Sequence, residues 1–172
     1  SLAQAMSFHI ISGNGLENYP NEYIPSLEQV LSLAVPYTAT KLAIEIKPEL
    51  SGEMLQKLLQ LIAQYDMTER VQILSLHQSN LAQIRTMTEL GGDKIRLCYM
   101  TKTTDSAAMQ VCIQYGADLG VRYTVITRNM VRTMHENGLK VNVWTVPDYN
   151  TACLMIGTLG VDSVTANYQF FQ

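Results

Sequence analysis

The sequence predicts a parallel α/β fold, most of a (β/α) barrel, and three observations carry that expectation. From about residue 40 onward, apolar runs of five to seven residues alternate with longer segments of helical spacing. Gly116, Gly138 and Gly160 each stand just past a helical segment, where a left-handed cap is wanted. Charged residues make up 16% of the chain against 47% apolar. A charge content below the usual quarter fits strands buried on both faces.

The elements follow in order. Residues 1–25 read as an N-terminal loop segment, with at most a helical turn inside 3–24 and a turn signal in the GNG run at 13–15. A helix is expected over 26–35, where Ser26 caps after Pro25 and Glu28 favours the positive end. Strands are expected at 41–47 (KLAIEIK), 71–76, 94–99, 119–124, 140–146 and 161–165. Helices fall between them at about 51–65, 79–90, 104–115, 127–137 and 149–158. Strands alternating with helices of this length imply right-handed crossovers and a parallel sheet. The 172 residues make a single domain, with repeated strand–helix units over 26–172.

Six strands do not close a barrel, which normally takes about eight. An open doubly wound sheet and a barrel lacking its first two strands both remain open readings. No GxGxxG or GxxxxGK run stands at any strand–helix turn, which weighs against nucleotide binding.

Composition excludes several function classes. Net charge is −3, from 12 basic and 15 acidic residues, with no basic run, so nucleic acid is not an expected partner. No stretch approaches the roughly 20 apolar residues of a membrane span. No signal peptide is visible, which leaves the compartment open: cytoplasmic, or periplasmic or secreted where an upstream signal has been lost. Cys98, Cys112 and Cys153 form no CxxC pair and read as buried small hydrophobes.

Two strands carry the candidate chemistry. In KLAIEIK, alternation puts Leu42, Ile44 and Ile46 on one face and Ala43, Glu45 and Lys47 on the other. Facing the lumen of a parallel barrel, Glu45 and Lys47 stand at the C-terminal mouth, where barrel enzymes place their sites. A carboxylate there can bind a hard cation, and an ammonium can meet a phosphate oxygen. In KVNVWTVPD, Asn142 and Trp144 take the corresponding face, and Trp144 can wall a small pocket. His77 directly follows a strand and can reach the mouth. His135 in the last turn of a helix reads as structural, and His9 precedes the repeat.

The run IPSLEQVL, the strand IEIK, the strand VQILSL, then HENGLKVNVWTV and LGVDSVTANY resemble the glycerophosphodiester phosphodiesterases in order and spacing, over about Tyr23 to Tyr168. That resemblance implies a TIM-type (β/α)8 barrel that hydrolyses glycerophosphodiesters of lipid metabolism to glycerol 3-phosphate and an alcohol with a divalent cation, Mg or Ca. It implies Glu45 as a metal ligand, Lys47 as a phosphate-contacting catalytic residue and Trp144 as a wall of the glycerol pocket. Ser75 occupies a position often serine in the family, though alternation leaves its facing open. His77 is the one histidine placed to act as acid or base.

Two departures stand beside the resemblance. The family's HRG, ExD and HD motifs, which supply both catalytic histidines and two of three metal carboxylates, do not occur here. The closing strand ends in Ala166–Asn167 where Thr-Asp is usual. The expectation is therefore an incomplete barrel, about six of eight strands, corresponding to the C-terminal two-thirds of a longer enzyme, catalytically incomplete and binding metal weakly. The alternative is a non-catalytic barrel remnant that binds a phosphate ester or serves in assembly. Exposed edges at 41–47 and 161–165 imply a homo-oligomer, unless residues 3–24 fold back over the gap.

Overall fold

A computed structural model describes residues 1–13, 15–91, 95–103 and 106–170. The chain opens with α1 (Leu2–Met6), capped by Ser1, and a 3-10 turn at Leu16–Asn18. Between them and the first long helix, Ile10 N–H donates to Glu22 O (2.9 Å) and the His9 ring lies 4.0 Å from that of Tyr23. The side chains of Phe8, Ile11 and Tyr19 remain exposed, and none of the described residues before Leu27 enters either core cluster. The expected fold-back of residues 3–24 over the sheet is thus not what the structure shows: the segment closes on itself through the His9–Tyr23 bridge.

Helix α2 (Leu27–Ala34) begins with a reciprocal cap. Ser26 Oγ accepts from Gln29 N–H (3.2 Å), and Gln29 Oε1 accepts from Ser26 N–H (2.8 Å). Its last carbonyl is met from another element, since Arg70 donates to Ala34 O at 3.0 Å and also to Tyr37 O, just past the helix, at 3.0 Å. The repeat follows: β1 (Leu42–Ile46), α3 (Gly52–Gln64), β2 (Val71–Ser75), α4 (Gln78–Gly91), β3 (Arg96–Thr101) and α5 (Ser106–Tyr115). Then come β4 (Asp118–Arg122), α6 (Arg128–Glu136), β5 (Val141–Val146), α7 (Tyr149–Cys153) and β6 (Ser163–Ala166). A 3-10 turn at Thr68–Arg70 precedes β2, and a π-helical turn at Leu154–Leu159 extends α7. Lys94, Thr104 and Asp105, at the ends of a predicted strand and helix, lie outside the described residues.

All six strands pair in parallel in the order β1-β2-β3-β4-β5-β6. Sequential order with right-handed crossovers puts every connecting helix on one face. The sheet is singly wound and curled, the arrangement of a half-barrel, and the doubly wound alternative falls. β1 and β6 are its two edges.

The core lies between the convex face and the helices. Ile46, Ile73 and Leu97 meet Leu55, Ile62, Leu81 and Ile84 in one cluster. Leu119, Val121, Val141 and Val143 meet Met130, Met134 and Met155 in a second. Each such buried side chain is worth about 1.5–3 kcal/mol. Cys98 and Cys112 are buried as expected, but Cys153 is exposed. Ala152 and Met155 are the buried residues on either side of it, which turns Cys153 to solvent.

At the N-terminal end of the sheet, Asp162 ties β6 to its neighbours. Its Oδ2 lies 2.8 Å from His135 Nε2 and accepts from Val141 N–H at 2.8 Å. Partial burial works against the carboxylate, but the His135 and Val141 hydrogen bonds outweigh it and hold its pKa below the usual range. A depressed folded pKa adds stability above about pH 4, the unfolded value, and loses it as pH falls through the folded value. We expect Asp162→Ala to cost about 1–2 kcal/mol at neutral pH, with the difference from wild type shrinking at pH 3. Urea denaturation at both values checks this, and a difference that does not change with pH would count against it.

Candidate active site

The faces of β1 sort its residues by chemistry. Ile46, with Leu42 and Ile44 partly, packs into the helix-side core. Glu45, on the opposite, concave face, is 38% exposed. Lys47 follows the last strand residue at the C-terminal mouth and is 80% exposed, with Nζ 3.4 Å from Glu45 Oε2. Glu45 thus lies on the face turned away from the helix-side core, and Lys47 stands one residue past the end of β1.

The register extends that face around the sheet. Glu45 pairs with Leu74, Leu74 with Cys98, and Cys98 with Asp118. Met100 pairs with Gly120, and Gly120 with Asn142. A Cβ at Gly120 would run into Met100 Sδ and lie 3.0 Å from Cys98 Sγ. Glycine is thus what lets Met100 lie across the floor of the concave face. Burial pushes the Cys98 thiol pKa up, and the Asp118 charge adds to it. Cys98 therefore stays protonated and is no nucleophile.

Trp144 is half-buried near the C-terminal end of β5, in register with Arg122 on β4. The Arg122 Cζ stands 5.9 Å from the centre of the indole ring, a cation–π contact at the mouth. The indole Nε1 is buried without a hydrogen-bond partner among the described residues. Below Trp144, Asn142 donates to Ser163 Oγ (2.9 Å) and accepts from Thr165 Oγ1 (3.0 Å), locking β5 to the edge strand.

His77 follows β2 and is 39% exposed. Its Nδ1 lies 3.6 Å from Glu49 Oε1, which also accepts from Ser79 Oγ at 2.6 Å. His77 so belongs to a small polar group with Glu49 and Ser79 on the loops after β1 and β2. His135 is bound to Asp162 away from the mouth, as a structural histidine would be.

Ser75 requires a correction. It pairs with Ile46, the core-facing residue of β1, and is fully buried, so it points to the helices and not to the mouth. Its Oγ donates to Ile46 O (3.1 Å) and accepts from His77 N–H (3.1 Å). Contact with a substrate is not open to it. The sequence reading also passed over Glu49, Asn80 and Arg122. For Arg122 the signal existed, because alternation from Gly120 puts it on the concave face.

Among the described residues no three His, Cys, Asp or Glu side chains gather closely enough to hold a metal ion. Glu45 is a single carboxylate with an ammonium beside it. The residues present do not by themselves fit a divalent cation.

The sequence matches the model of the glycerophosphoryl diester phosphodiesterase family over residues 1–168. Among solved structures, a candidate glycerophosphodiester phosphodiesterase from Galdieria sulphuraria is 27% identical with a TM-score of 0.77, over 99% of this chain and 67% of its own. A phosphodiesterase from Oleispira antarctica, solved with the product sn-glycerol-3-phosphate, is 20% identical with a TM-score of 0.79, over 98% of this chain and 67% of its own. A candidate glycerophosphoryl diester phosphodiesterase from Silicibacter pomeroyi is 23% identical with a TM-score of 0.73, over 85% of this chain and 54% of its own. The chain thus spans between about half and two-thirds of the length of these structures. No protein of curated function matches. Matched over 168 of its 172 residues by the family's sequence pattern, and folded as its members are, the chain belongs to the glycerophosphoryl diester phosphodiesterase family.

Proposed function

We propose that this chain forms one side of a glycerophosphodiester site in a protein that hydrolyses such diesters to glycerol 3-phosphate and an alcohol. The observation that supports the reading is that Glu45 and Lys47, at the end of β1, and Trp144, near the end of β5, belong to the same end of the parallel sheet. Lys47 meets a phosphate oxygen, and Trp144 lines the carbon skeleton of the glycerol. His77, held near Glu49 on the loops after β1 and β2, lies at the same end of the sheet, but the proton-transfer duty falls to other groups. The family likeness and the product bound to the Oleispira antarctica enzyme support the substrate class.

A divalent cation, Mg or Ca, enters through Glu45 only with further carboxylates that the described residues do not supply. On this reading those carboxylates, the proton-transfer histidines and the two strands that complete the barrel come from outside the 172 residues. Metal held by this chain alone is then weak. The open edges β1 and β6 pair either with those strands or with a second copy of the chain. No helix of the described residues is long and apolar enough to cross a membrane. A second reading is a non-catalytic remnant that binds a phosphate ester or serves in assembly, in which Glu45 and Lys47 act only as an ion pair at the end of β1.

Glycerol 3-phosphate titrated into the purified chain tests the site. Binding should weaken about 10-fold or more in Lys47→Ala, the range of a charge-assisted hydrogen bond. Absence of binding by the wild type, or equal affinity in the variant, would sink the reading.

A further inference from the structure

Resting on that reading, we infer that Asn80 and Ser75 are positioning residues that set Lys47 and Glu49 at the mouth. Asn80 is fully buried at the first turn of α4, with no access to a ligand. Its Nδ2 donates to Pro48 O (2.9 Å) and to Ser75 Oγ (3.0 Å), while its Oδ1 accepts from Leu50 N–H (3.0 Å). Ser75, also fully buried, carries the network on to Ile46 O and to His77 N–H, both at 3.1 Å. Ile46, Pro48 and Leu50 are thus gripped in alternation, and the residues left between the grips are Lys47 and Glu49. The same hydroxyl holds the backbone of His77.

The chemistry explains why these residue types are needed. The loop after β1 presents both a carbonyl and an N–H to the protein interior, so one partner must donate and accept side by side, which an amide does. Inside the core such groups must be satisfied, and a fully satisfied network fixes one geometry. Lys47 itself is exposed and, among the described residues, is paired with Glu45, so its direction depends on backbone that others hold. Phosphate contact at the mouth therefore depends on two side chains that never touch the phosphate.

The experiment is a coupling measurement on the whole chain with glycerol 3-phosphate as the probe. Asn80→Ala and Ser75→Ala should each weaken binding roughly tenfold, as loss of supporting hydrogen bonds around a site does. Combined with Lys47→Ala, neither should cost further affinity, because both act through that residue. Thr88→Val removes a buried hydroxyl bonded to Ile84 O (3.0 Å) elsewhere on α4 and should leave binding unchanged. Where Asn80→Ala unfolds, Ser75→Ala carries the test. Wild-type affinity in both variants, or a full additional loss on the Lys47→Ala background, overturns the proposal. If the wild type binds no glycerol 3-phosphate, the glycerophosphodiester reading fails by itself. Positioning is then judged by hydrogen exchange: faster exchange of the Leu50 and Lys47 amides in Ser75→Ala supports it, and unchanged exchange overturns it.

Discussion

Assayed with a glycerophosphodiester and Mg or Ca, the purified chain should turn over about 10²–10⁴-fold more slowly than a family member carrying the HRG and ExD motifs. Each proton-transfer group is worth about 10²–10⁴ in rate. Losses within one catalytic unit do not multiply, so removing a pair costs about as much as removing its more important member. Lys47 and Trp144 bind and orient, which lowers the barrier only as far as they grip the transition state more tightly than the substrate. His77 does not replace the pair, because it is turned toward Glu49 on the loops after β1 and β2. Adding a segment that bears the missing motifs should restore rate, and His77→Ala should then change it little. Robust metal-dependent turnover by the 172 residues alone would refute the division of labour proposed between this chain and the rest of the site.

The parallel repeat and the placement of Glu45 were legible because KLAIEIK alternates cleanly, with apolar and polar residues on opposite faces. Ser75 was not, since each face of VQILSL carries two apolar residues and one polar one and alternation cannot orient it. Only its pairing with Ile46 does. Cys153 was misread for a related reason: a cysteine's burial follows the face of its helix, and α7 is short and continues into a π-helical turn, where spacing in the sequence no longer tracks a face. The grip of Asn80 on residues 48 and 50 joins the first turn of α4 to a loop about 30 residues earlier and leaves no local pattern. Contacts of this kind depend on register across strands, which a single chain does not display.

Asp118 illustrates that limit, and its replacement should be the most destabilising single change on the concave face. It opens β4, with its side chain only 11% exposed. Its Oδ2 accepts from Arg96 Nη2 (2.5 Å) and Gln72 Nε2 (2.6 Å), and its Oδ1 from Lys140 N–H (2.8 Å). One carboxylate thereby links β2, β3 and the residue entering β5. Asp118→Ala leaves three donors without their acceptor. Arg96 is 40% exposed and can turn toward water, so the penalty falls short of that for a fully buried stranded charge. Hydrogen bonds to a charged group are worth about 1.5–3 kcal/mol, and a loss of about 3 kcal/mol is expected overall. At about 2–4 °C per kcal/mol for a domain of this size, the melting temperature should fall by roughly 6–12 °C. Arg96→Met leaves the nearly buried carboxylate with two neutral donors and should cost a comparable amount. The double variant Arg96→Met with Asp118→Leu removes both charges together, so it should be less destabilised than the two single losses added. Urea midpoints of the four proteins close the cycle. Strict additivity would mean that the pair is an incidental contact and that the floor of the sheet is held by Met100 and Cys98 packing against Gly120.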